Sequence, residues 1–82
     1  MRRDIVAVFK LNGNKYSIEG DAMVDIEMVS GAKYTNMRVI GMGRSGNTIK
    51  AIGKDGMNEL PIATIKTITD SGKPEFSRIR IS

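Results

Sequence analysis

Val24, Ile26 and Met28 alternate with Met23, Asp25 and Glu27, a period of two that lays one face of a strand on a core. Ser30-Gly31 interrupts the alternation, and a second β-type run extends from Lys33 to about Met42. On it Thr35, Met37 and Val39 fall on one face, and Tyr34, Asn36, Arg38, Ile40 and Met42 on the other. Such a strand is long. In a small barrel it bends to serve both halves of the sheet, and Gly41 is a natural place for the kink. Turn chemistry follows at residues 43–47 (Gly-Arg-Ser-Gly-Asn) and at 53–56 (Gly-Lys-Asp-Gly), flanking a short apolar run at 48–52.

Beyond the second turn, Leu60, Ile62, Ile65 and Ile68 pass from a two-residue to a three-residue spacing. Pro61 and the β-branched residues around it disfavour a helix. A single 3₁₀-like turn at residues 61–64, resetting the phase between two short strands, accounts for the shift. Upstream, residues 5–11 are β-branched or apolar at nearly every position, as in a strand buried on both faces. Asn12-Gly13 signals a type I′ turn, and residues 15–19 return with Tyr16 and Ile18 on one face. A short helix over residues 3–10 is the rival, disfavoured by Ile5, Val6 and Val8. At the other end, residues 77–81 alternate as a last strand would, with Arg78 and Arg80 on one face and an edge suited to pairing with another chain. The pattern predicts an all-β fold: a small, strongly bent five-stranded barrel, preceded by a hairpin and followed by a C-terminal strand.

Length holds this to a single domain, residues 1–82. The chain has no Cys and no His, which removes disulfides, thiolate metal sites, the usual proton shuttle and the usual nitrogen ligand. No apolar run approaches the roughly 18 residues of a membrane span, and Ile5 to Phe9 is too short for a secretory signal. The expected location is the cytoplasm.

Charge placement changes the picture more than the net +4 does. Residues 28–54 hold five bases (Lys33, Arg38, Arg44, Lys50 and Lys54) and no acid, while Glu19, Asp21, Asp25 and Glu27 precede them and Asp55 and Glu59 follow. This asymmetry suits a polyanion, or a second copy docking edge to edge; the alternative, of equal standing, is ordinary solvated side chains on a small basic protein. Gly41-x-Gly43-x-x-Gly46 satisfies the dinucleotide fingerprint as a bare string. It opens no helix, however, and residues 48–52 end at Gly53, so the glycines read as a bend and a turn. Asp25 and Glu27 share a strand face and have the chemistry for acid–base work or a hard cation, but two carboxylates beside neighbouring Lys or Arg read more simply as a solvated face. No catalytic residue, metal, cofactor or small-molecule substrate is inferred.

Residues 23–34 (Met-Val-Asp-Ile-Glu-Met-Val-Ser-Gly-Ala-Lys-Tyr) resemble the first half of the Sm motif: alternating strand, Gly turn, aromatic, long bent second strand. Residues 60–68 (Leu-Pro-Ile-Ala-Thr-Ile-Lys-Thr-Ile) resemble its second half, a short strand, a one-turn connection and a closing strand. The resemblance to the Sm-like family (the LSm and Hfq type, with an SH3-like barrel) covers a core of about residues 21–69. It implies a homo-oligomeric ring of roughly five to eight subunits, smaller rings favoured, in which the fourth strand of one protomer pairs with the fifth of the next. It also implies single-stranded RNA as a ligand. Carried over by position, the RNA-contacting places are Arg44, Ser45 and Asn47 in the first loop and Ile62, Ala63 and Thr64 in the second. Lys54 is a further candidate from the basic stretch. Asn47 has the donor and acceptor of a base-reading amide, and Arg44 the chemistry to stack on a base or contact phosphate. The ring-interface candidates are Leu60, Ile62, Ile65 and Thr67. The chain departs from the family where Met42 or Gly43 stands in place of an Asp, where Ile62-Ala63 replaces an Arg-Gly, where the first loop lacks an aromatic, and where a hairpin replaces the N-terminal helix.

The leading expectation is therefore a non-catalytic Sm-like protein that forms a ring and binds single-stranded RNA. The alternative is an SH3-like protein–protein interaction or structural module with no RNA role, docking a partner along an exposed edge and using its six Met residues for adaptable packing.

Overall fold

Asn12 and Gly13 sit at φ 53° and 83°, the two positive values a type I′ turn demands, and join β1 (Ile5–Leu11) to β2 (Asn14–Glu19). The computed structural model describes residues 4–20, 22–72 and 78–82; Asp21 of the expected core and Ser77 of the expected last strand lie outside them. After the hairpin come β3 (Met23–Met28), β4 (Lys33–Met42), β5 (Thr48–Gly53) and β6 (Gly56–Pro61), then a 3₁₀ turn (Ile62–Thr64), β7 (Ile65–Asp70) and β8 (Ile79–Ile81). Among the described residues all pairing is antiparallel, in a three-stranded sheet of order β1-β2-β8 and a five-stranded sheet of order β6-β5-β4-β3-β7. The chain is all-β, and among the described residues no helix is long and apolar enough to cross a membrane.

The five-stranded sheet cannot be flat. Its edge strands β6 and β7 would stand about 19 Å apart across four strand spacings. The end of β6 lies beside the Met42 end of β4 and the start of β7 beside the Lys33 end, about 30 Å further along. Yet only the 3₁₀ turn joins them, and the four peptide steps from Pro61 to Ile65 span at most about 14 Å. The sheet therefore curls back on itself through β4. The turn ties the two ends together, because Val29 donates its N–H to Thr64 O at 2.8 Å while Ile62 donates to Asn47 O at 2.9 Å. Among the described residues β6 and β7 are not paired with each other, so the curled sheet keeps two edges.

The bend falls at two bulges in β4. Val24 pairs with Met37 but Ile26 with Tyr34, which leaves an extra residue at Thr35/Asn36; Val39 pairs with Ala51 but Gly41 with Lys50, which leaves Ile40 unmatched. Asn36 takes φ 53°, and its N–H is held by Asp25 Oδ1 at 3.0 Å. Each bulge flips the alternation. Tyr34 and Met42 consequently pack against the core together with Met37 and Val39, whereas Thr35 is exposed, which corrects the two faces expected from strict alternation. In β7 an extra residue at Lys66 keeps both Ile65 and Ile68 inside, so the three-residue spacing is a bulge following the 3₁₀ turn.

The two sheets share one core. Ala7, Phe9, Leu11, Tyr16 and Ile18 from the hairpin join Val24, Ile26, Val39, Ile49 and Ile68 from the curled sheet. Burying each large aliphatic side chain contributes about 1.5–3 kcal/mol. In β1 only one face is covered, with Ile5 and Val8 exposed, so the expectation of burial on both faces does not hold. The last strand is also not a wholly unpaired edge. β8 pairs with β2 of its own chain, Tyr16 opposite Ile81 and Ile18 opposite Ile79, and Asp70 Oδ2 accepts the Arg78 N–H at 3.0 Å.

Candidate nucleic-acid interface

The turn between β4 and β5 is built from its own backbone. Gly46 donates to Gly43 O at 3.0 Å with φ 78°, and Gly43 donates to Thr48 O at 3.0 Å, closing the hairpin. Ser45 Oγ accepts the Asn47 N–H at 3.3 Å. The Ser45 hydroxyl thus fixes the backbone of Asn47, while the exposed Asn47 amide and Arg44 guanidinium have no partner among the described residues. At the foot of the hairpin Thr48 Oγ1 donates to Glu59 Oε2 at 2.6 Å, which ties β5 to β6.

The 3₁₀ turn meets this hairpin from the other side. Besides the bond from Ile62 to Asn47, the Thr64 hydroxyl donates to Pro61 O at 2.7 Å and so is occupied in closing its own turn. Between the two segments lies an open groove of about 420 Å³, lined by Gly46 and Asn47, by Ile62 and Ala63, and by Phe9 and Lys10 of β1. The volume falls within the range of small-ligand sites. Its floor is apolar, its rim carries one amide and one ammonium group, and no acid lines it. Asn47, Ile62 and Ala63 are brought together here, with Arg44 and Ser45 on the same turn. Phe9 and Lys10 come from a strand remote in sequence, and no local motif marks them.

Lys54 lies elsewhere. It sits at the β5–β6 turn, about 17 Å away along β5. There it lines a separate depression of about 260 Å³ with Lys33, Tyr34 and Asn58. The acid-free basic stretch is therefore spread over both ends and the outer face of the sheet and does not form one patch. Of the ring-interface candidates, Leu60 (5% exposed) and Ile65 (3%) point into the chain's own core and Ile62 packs partly against it, which leaves these side chains little to offer a neighbour. Thr67 is exposed on β7. Asp25 is engaged with Asn36, and among the described residues no group of three or more acidic side chains is placed to hold a metal ion.

On the outer face of the sheet the pairing lines up Met23, Arg38, Ile52 and Met57 across β3, β4, β5 and β6. Met57 is 56% exposed and Met23 41%. Compared with known proteins, the chain matches no family model, no curated protein and no solved structure.

Proposed function

We propose that this chain is a non-catalytic Sm-like protein that assembles head to tail into a ring and binds single-stranded RNA. The observation that carries the reading is the junction of the β4–β5 turn with the 3₁₀ turn, at the 2.9 Å bond from Ile62 to Asn47. Those are the two loops from which the resemblance draws its RNA contacts, and here they line one groove with an amide and a nearby guanidinium that have no partner among the described residues. The order of elements adds support: alternating strand, Gly turn, long bent strand, hairpin, tight turn and one-turn connection follow in the sequence the resemblance requires. So does the position of β6 and β7 at the two edges of the sheet.

The test is binding of short fluorescein-labelled oligouridylate and oligoadenylate, followed by anisotropy from about 50 mM to about 200 mM salt. Affinity should fall steeply with salt, and Arg44→Ala and Asn47→Ala should each weaken it severalfold. Salt-insensitive retention, or none at low salt, overturns the reading.

A second reading, an SH3-like interaction module, is favoured by the outer row of Met23, Ile52 and Met57 around Arg38. Exposed methionines of this kind adapt to a protein surface. On that reading Met57→Asp abolishes capture of a protein partner, and Arg44→Ala leaves it intact.

A further inference from the structure

Phe9 reaches the groove from the N-terminal hairpin, outside the part of the chain that resembles an Sm core. Its ring stacks on Tyr16 with centroids 5.6 Å apart and planes 4° apart, which fixes its orientation. The hairpin is itself fixed against the curled sheet. Asn12 Nδ2–H donates to Lys66 O at 3.1 Å, and Val8 N–H meets Met42 Sδ at 3.4 Å. β1 is thus a preformed third wall, and its next residue, Lys10, stands exposed at the rim without a carboxylate partner among the described residues.

We propose that this wall makes the groove a one-nucleotide site. Lys10 takes the phosphate, the base lies over the apolar floor of Phe9, Ile62 and Ala63, and the Asn47 amide bonds the base edge. The chemistry follows from the lining. A cation at the rim, an apolar floor and one amide with both a donor and an acceptor match the three parts of a nucleotide. With no acid among the lining residues, nothing in the groove repels the phosphate. Gly46 and Ala63 keep it open, since neither carries a side chain longer than a methyl group. The inference rests on the RNA reading above and adds to it that the hairpin, and not the two loops alone, supplies binding.

Lys10→Ala, Lys10→Arg and Ala63→Leu test it in the full chain, with the same labelled oligonucleotides and with Arg44→Ala alongside. Lys10→Ala should weaken binding about three- to tenfold at low salt and reduce the logarithmic salt slope by about 0.7, the value for one single-strand phosphate contact. Lys10→Arg should restore both. Ala63→Leu removes no polar group and should block binding by filling the groove, with an unchanged melting temperature because Ala63 is exposed. If Lys10→Ala and Ala63→Leu bind with wild-type affinity and slope while Arg44→Ala is weakened, the nucleotide site is overturned and the RNA reading stands. If the wild-type chain retains neither oligonucleotide at low salt, both fall.

Discussion

At Gly43 an added Cβ would land on the Thr48 hydroxyl and crowd Glu59 Oε2, the two groups whose hydrogen bond ties β5 to β6 at the foot of the β4–β5 hairpin. At Gly41, two residues earlier, the same atom would meet nothing within 4 Å, and φ there is not positive. Two glycines of the apparent G-x-G-x-x-G string therefore answer to different physics. Gly43→Ala should cost about 1–3 kcal/mol, the range for forcing a methyl group into filled space. Gly41→Ala should be neutral or stabilise by up to about 1 kcal/mol, since it only restricts the unfolded chain. Urea melts of both variants check the contrast, and an equal loss in the two would refute the steric assignment.

At the scale of elements, β8 is the least supported strand, three residues long and paired with β2 alone in the described sheet. Asp70 is its clamp. One carboxylate oxygen accepts the Gly72 N–H at 2.7 Å and the other the Arg78 N–H at 3.0 Å, bracketing the segment that leads into β8. Asp70→Ala would leave both donors without these acceptors, at a cost of about 1–3 kcal/mol concentrated in this corner. Hydrogen exchange should then quicken at the Lys15 and Glu19 amides, which donate to Ser82 and Arg78, and stay slow in β5. Uniformly faster exchange would mean that Asp70 supports the whole fold. Which elements were legible in the sequence follows from the same local physics. The Asn12-Gly13 hairpin and β3 could be read because their signals are complete in themselves: two residues tolerant of positive φ, and an unbroken alternation. The two phases of β4 could not, because a bulge is defined by what the partner strand skips, and only Asn36, tolerant of φ 53°, hinted at one. The site divided in the same way. The candidate turn residues Arg44, Ser45 and Asn47 could be named only by position, through the resemblance, and Phe9 and Lys10 join that turn only through the packing of the hairpin on the curled sheet.

Two open edges on one sheet bear on the state of the whole molecule. Pairing of β6 with β6 of a second copy would be isologous and would stop at a dimer; pairing of β6 with β7 is head to tail and continues until the rotation closes it. The ring proposed above is of the second kind: it would use β6 and β7, the two edges of the sheet, whose ends the 3₁₀ turn joins. β7 is partly guarded, since Lys66 O already accepts from Asn12 and the Lys66 side chain is exposed, a charge that discourages indiscriminate edge pairing. Light scattering after size exclusion, run at several concentrations, should therefore give a mass of at least five 9.0 kDa protomers that does not change on dilution. A dimer would assign the contact to one edge alone, and a mass that grows with concentration would mean that the rotation fails to close. A 9.0 kDa monomer would remove the ring altogether and leave the groove and the outer Met row as surfaces of a lone module.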